Sequence, residues 1–184
     1  LILLVMPGAP ARSAPVDAKA AVAFSEEMRA RHGFDPASLA ATFKRTSRLD
    51  SVLAAMVKPA EKKPWHAYRP IFMTAERIGA GDAFWNEHAA ALTRAETEYG
   101  VPALIIVAII GVETFYGRNA GGYRVLDALA TLAFHFPPRA PFFRAELENF
   151  LLLTRDEGLQ PDLPKGSYAG AMGLPQFMPS SWRH

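Results

Sequence analysis

The chain has no cysteine among its 184 residues. Disulfides, a thiolate nucleophile and a zinc–thiolate site are therefore excluded. It also has little excess charge: 20 Lys and Arg stand against 18 Asp and Glu, a net +2. That balance, with no basic stripe interleaved with aromatics, speaks against nucleic acid as a partner. No apolar stretch approaches the roughly 20 residues of a membrane-spanning helix, so no transmembrane anchor is expected. Asn-Gly and Asp-Gly dipeptides are missing, as is any long alternating run, so strands should be scarce. An Asp-x-Asp-rich, Glu-ended calcium loop is absent too, and no metal ligands are assigned.

What is present suits a helical domain with a real core. Half of the chain is hydrophobic and 21% is charged, an ordinary globular balance. Apolar residues recur at helical spacing from Val16 to His32, with Gly33 placed to close that helix. Asp35-Pro36 reads as an N-cap followed by Pro in the first turn, opening a helix to Lys44. Further helices are expected over Leu49 to Val57, Asp82 to Tyr99, Val125 to Phe134 and Pro141 to Asp156. Lys58 to Pro70, with three Pro residues, suits a surface connection, and Asn119 to Tyr123 a turn. The fold class is mainly α.

Leu1-Ile2-Leu3-Leu4-Val5-Met6 looks like the tail of an export signal, with Ala11-Arg12-Ser13 at a plausible cleavage position. On that reading residues 1–15 are a signal remnant and the mature protein is exported to the periplasm. The competing reading is a disordered tail with a chance apolar patch.

Chemistry concentrates in two segments. Val101 to Val112 contains no polar side chain, and Pro102 suits a first helical position. Such a helix is apolar all round and should be buried. Glu113 then sits at its C-terminal end, where the helix dipole and apolar surroundings both push a carboxyl pKa upward. A carboxyl group kept protonated is what a general acid requires. The plainer alternative is a Glu that turns into solvent where a core helix ends. The second segment, residues 166–181, is rich in Gly and Ser. Ser167 and Gln176 offer hydrogen bonds there, and Tyr168 and Phe177 offer flat faces, a lining that suits a sugar. Alone it reads equally as a Gly-rich loop leading into a helix.

Together these segments closely resemble the lytic murein transglycosylase B family, glycoside hydrolase family 103. The resemblance is carried by Gly111-Val112-Glu113-Thr114, by Val125-Leu126-Asp127-Ala128-Leu129-Ala130-Thr131-Leu132, and by Gly166 to Ser181 with its Gln176-Phe177-Met178-Pro179-Ser180-Ser181 end. Arg155-Asp156-Glu157 and Ala83-Phe84-Trp85-Asn86 match as well, so it runs from about Val22 to His184. It implies a lysozyme-like core of the goose-type lysozyme and transglycosylase kind, with extra N-terminal helices. Residues 16–70 would form the N-terminal helical part and residues 71–184 a partial catalytic core, truncated at its C-terminus. The lipid-modified N-terminal Cys of some members is absent.

The resemblance further implies a peptidoglycan lytic transglycosylase, with Glu113 as catalytic acid and then base. It cleaves the bond between N-acetylmuramic acid and N-acetylglucosamine without water and closes a 1,6-anhydro ring. Ser167 and Gln176 match positions that contact substrate or hold the acid, and Tyr168 and Phe177 lie beside them. Arg139 matches the second of a pair of Arg residues, with Pro138 in place of the first. Leu174-Pro175 replaces an aromatic-Gly pair of some relatives. No cofactor is required, although calcium is allowed in a later portion of the family's chain. Peptidoglycan strands are the expected partner, and cell-wall synthesis proteins are further candidates.

Two alternatives stay open: a hydrolytic muramidase, and a non-catalytic peptidoglycan-binding protein or inactive fragment. The muramidase needs a second carboxylate, for which Asp127, Glu146 and Glu148 are candidates. Each also has a structural reading: Asp127 as a helix cap, Glu146 and Glu148 as solvent-facing positions of an amphipathic helix. His135 reads as packing, and Trp65, Trp85, Phe142 and Phe143 as core.

Overall fold

The computed structural model describes residues 13–58 and 63–184. Residues 1–12, which hold most of the expected signal remnant, and residues 59–62 of the expected surface connection lie outside them. The described residues form two compact units. One comprises residues 63–120 with Gly173–Gln176. The other comprises residues 13–58, Gly121–Met172 and Phe177–His184.

The unit beginning at residue 13 starts with strand β1 (Ser13–Pro15), which pairs antiparallel with β2 (Ser47–Leu49). Between them lie α1 (Ala18–His32) and α2 (Pro36–Lys44), whose ends follow the local code. Asp17 accepts from Ala20 N–H at 2.8 Å, and Gly33 caps α1 in the left-handed conformation. Asp35 accepts from Ser38 N–H at 2.9 Å ahead of Pro36. The unit continues with α3 (Asp50–Val57), β3 (Tyr123–Arg124), α8 (Val125–His135), α9 (Ala140–Asp156), β4 (Lys165–Gly166) and α10 (Pro179–Trp182). Every residue of α8 from Val125 to Ala133 is buried, so this helix is the axis of the core. Phe24, Phe43 and Phe134 meet edge to face with centroids 5.8–6.0 Å apart.

Two of the buried α8 residues are polar, and both are committed to β2. Asp127 Oδ1 accepts from Ser47 N–H and Thr131 Oγ1 from Leu49 N–H, each at 3.0 Å. Arg124 also grips Asp127 through Nε and Nη2. Asp127 therefore ties a strand to a helix rather than capping α8. Glu146 departs from expectation in the same way. It is buried, and its carboxylate accepts from the N–H and hydroxyl of Ser180 at 2.9 and 2.7 Å. It thus serves the α10 start, where Pro179 follows Met178 and no residue of α10 supplies its own cap.

In the other unit, α4 (Trp65–Tyr68) and a 3-10 turn (Arg69–Ile71) precede α5 (Ala75–Glu87), α6 (Ala89–Tyr99) and α7 (Ala103–Thr114). The single helix expected over Asp82 to Tyr99 is thus two. It begins earlier, where the Thr74 hydroxyl accepts from Arg77 N–H, and breaks at His88, whose ring packs on Phe84 at 4.4 Å. Gly100 closes α6 as expected. Phe84, Leu92, Ala103 and Val107 make the buried core.

The apolar helix is not buried all round. Ala103, Val107, Gly111 and Thr114 face the core, whereas Leu104, Ile105 and Ile109 are exposed. Composition cannot select a face when every face is apolar; packing of α5 and α6 on one side does. Trp65, Trp85 and Phe142 are exposed as well, and of the four aromatics assigned to the core only Phe143 is buried.

Candidate active site

Glu113 stands one residue before the end of α7, as its sequence position requires. The turn after it is unusual. Phe115 and Tyr116 have φ of 50° and 56°, and with Gln176 they are the non-glycine residues of positive φ among the described residues. All three lie in or beside the two motif segments, and strained backbone of this kind persists only where its surroundings enforce it.

Those surroundings are identifiable. Buried Thr114 shares its hydroxyl proton between the carbonyls of Ile110 and Leu174, at 3.1 and 3.0 Å, and accepts from Gly117 N–H at 3.0 Å. Tyr116 folds back so that its hydroxyl lies between two glycines: a Cβ on Gly111 or Gly81 would stand 2.5 or 2.6 Å from that oxygen. Gly111 is glycine because Tyr116 needs the space.

Met172 and Phe177 exchange backbone hydrogen bonds of 2.8 and 3.1 Å, which pinches Gly173–Gln176 into a four-residue tip. The tip belongs to the Glu113 unit. It is held there by the Thr114–Leu174 bond and by Gln176, whose Nε2 donates to Ala120 O and Gly173 O at 3.0 Å each. Both amide hydrogens are thereby spent, and Oε1 remains as the acceptor Gln176 can offer.

The carboxylates differ sharply in what they have left to offer. Asp127 and Glu146 are buried with both oxygens hydrogen-bonded, Glu148 is paired with Arg31 and His32, and Asp162 faces Arg45. Among the described residues Glu113 alone is a carboxylate that is not exposed and takes part in no hydrogen bond or ion pair. Its oxygens are not sealed in either, since no buried polar side-chain atom lacks a partner.

Residues 17–184 match the transglycosylase SLT domain family. The chain belongs to that family. Over 170 residues it is 49% identical to the membrane-bound lytic murein transglycosylase B of Escherichia coli strain K12, covering 87% of this chain and 47% of the relative. It therefore spans about half the length of the curated relative it matches. The soluble lytic transglycosylase SltB1 of Pseudomonas aeruginosa superposes with a TM-score of 0.87 at 57% identity, over 89% of this chain and 55% of that one. SltB3 of Pseudomonas aeruginosa, solved in complex with NAG-anhNAM-pentapeptide, superposes with a TM-score of 0.80 at 30% identity, over 88% and 43%. The mainly helical, lysozyme-like architecture expected from the sequence is that of these transglycosylases.

For this transglycosylase-family chain the structure brings Glu113 and Gln176 into one unit and sets the other expected residues in the second. Ser167 is buried there, and its oxygen accepts from Ala169 and Ala171 N–H at 3.3 and 3.0 Å, shaping its own loop. Tyr168 packs on the core, and burial pushes its phenol pKa up. Phe177 is exposed, with Trp182 edge-on at 6.2 Å. Arg139 is exposed too, its guanidinium 4.5 Å from the Phe142 centroid. His135 Nε2 accepts from Asp17 N–H at 3.2 Å. Among the described residues no group of three or more His, Cys, Asp and Glu is placed to hold a metal ion. Reading the sequence assigned no role to Tyr116 or Arg77, and it foresaw neither the Thr114 bond to Leu174, 60 residues away, nor the Glu146 bond to Ser180, 34 residues away.

Proposed function

We propose that this chain carries the catalytic centre of a peptidoglycan lytic transglycosylase, with Glu113 as its single acid and base. The observation that carries the reading is the partnerless, partly shielded Glu113 carboxyl beside a tightly braced turn. Protonated, it donates to the glycosidic oxygen between N-acetylmuramic acid and N-acetylglucosamine. The substrate's own N-acetyl carbonyl stabilises the positive centre. The Glu113 carboxylate then takes the proton of the 6-hydroxyl, whose oxygen closes the 1,6-anhydro ring. No water is consumed and no cofactor enters. The burial and hydrogen bonding of Asp127 and Glu146 and the pairing of Glu148 support this reading over a hydrolytic muramidase, which needs a second available carboxylate.

Substrate contacts are assigned to the Oε1 of Gln176, the hydroxyl proton of Ser167, the faces of Tyr168 and Phe177, and Arg139. The resemblance to exported wall-cleaving enzymes supports action in the periplasm on glycan strands, alongside cell-wall synthesis proteins. Residues 1–15 are proposed as a signal remnant, residues 16–70 as the N-terminal helical part and residues 71–184 as the catalytic core.

Digestion of peptidoglycan by the intact protein tests the reading. Mass spectrometry should find muropeptides lighter by one water than hydrolysis products. Glu113→Gln should lower the rate at least about a hundredfold, the scale of a lost general acid, while binding to insoluble peptidoglycan persists. Reducing muramic acid as the main product, or undiminished lysis by the variant, would sink it.

A further inference from the structure

Arg77, on α5, spends its charge in an unusual way. Half-buried Arg124 and Arg144 pair with Asp127 and Glu27. Half-buried Arg77 forms no ion pair among the described residues. Its Nη1 instead donates to Gly111 O at 2.7 Å, and its Cζ lies 4.3 Å from the Phe115 ring centroid and 5.2 Å from that of Phe72. Gly111 O is one of the last carbonyls of α7, a group that a helix end leaves short of donors. Phe115 N–H reaches it at 3.2 Å, and Arg77 supplies the shorter bond. Arg118 lies against the Phe115 ring as well, at 4.5 Å. One guanidinium thus grips the carbonyl two residues before Glu113 and the ring two residues after it.

We propose that Arg77 is a positioning residue for Glu113, an inference that rests on the reading of Glu113 as the acid. The fork of guanidinium donors suits this double duty, since it can hydrogen-bond in its plane while its face stacks on a ring. Its charge also opposes the negative end of the α7 dipole. Without it the last turn of α7 is free to fray, and a reacting group needs to stay within about 0.5 Å of its productive position. The loss should then fall on turnover and not on substrate affinity.

The test uses the intact protein and soluble glycan chains of defined length. Arg77→Met keeps the stem but removes donor and charge; kcat should fall at least tenfold with KM within twofold. Arg77→Lys restores a charged donor without the planar face that stacks on Phe115, so kcat should recover at least threefold over the Met variant while staying below the parent. A Met variant with parental kcat, a loss residing in KM, or equal impairment of Met and Lys would overturn the proposal. If the Met variant fails to fold, Arg77→Gln takes its place with the same expectation. Failure of both to fold assigns Arg77 to stability alone and likewise overturns it. Parent product analysis and Glu113→Gln run alongside. Reducing ends, or activity retained by Glu113→Gln, would indict the acid assignment, whereas normal controls with a fully active Arg77→Met would indict Arg77 alone.

Discussion

At Gly111 a hydrogen in place of a methyl lets Tyr116 fold back under the turn that carries Glu113. Gly111→Ala should destabilise the protein by about 1–3 kcal/mol, the usual cost of overpacking. Thermal unfolding with Tyr116→Ala in both backgrounds checks it: the tyrosine truncation should cost less when Ala occupies position 111. Equal costs would mean that the two positions do not compete for space. His135 makes a second, pH-linked case. Burial, and then the Arg48 charge, hold its pKa below the ordinary 6.5. The unfolded chain therefore takes up this proton at a higher pH than the folded one. The stability contributed by neutral His135, which accepts from Asp17 N–H, is full above 6.5 and drains away as pH falls through the folded value. Melting temperature should fall on acidification below 6.5, and His135→Gln should flatten that slope; an unchanged slope would remove His135 from the account.

At the scale of elements, legibility followed locality. The limits of α1 and α2 were readable to within two residues because Gly33, Asp35 and Pro36 act on their own neighbours. The break at His88 was not, because no Gly or Pro marks it, and the burial of Glu146 was not, because Ser180 lies 34 residues away. Helix α7 shows the same limit. With an apolar face all round, its sequence could not say which side would be covered. Leu104, Ile105 and Ile109 remain exposed at 61, 45 and 47%. A contiguous apolar strip of this kind favours association. The 184-residue chain should self-associate as concentration rises, and Leu104→Gln, Ile105→Gln and Ile109→Gln together should shift light scattering toward monomer. A parent chain that stays monomeric throughout would refute the role given to this face.

Over the whole molecule the two units differ in how much core they own. One buries a cluster spanning α1, α2, α3, α8 and α9, including Phe24, Phe143, Phe150 and five leucines that are all but inaccessible. The other buries Phe84, Leu92, Ala103 and Val107. Local stability follows buried apolar contact, so the Glu113 unit should open first. Amide hydrogen exchange is expected to be faster across α5, α6 and α7 than across α8 and α9. Protection of α7 equal to that of α8 would contradict this. A less stable unit around the acid also fits its need for bracing by Thr114, Tyr116 and Arg77.

The sequence by itself determined the helical class, most helix ends, the placement of Glu113 at a helix terminus and the family. Each of these depends on residues within a turn or two, or on motifs read in order, so no folding was needed to see them. Tertiary structure alone decided which face of α7 is open, that Gln176 joins the Glu113 unit, and that Asp127 and Glu146 are spent. It also decided that Arg77 grips the carbonyl behind the acid. Such outcomes turn on which donors, acceptors and rings meet across long stretches of chain. A buried polar group must find a partner there, and only the packed fold settles which one it finds.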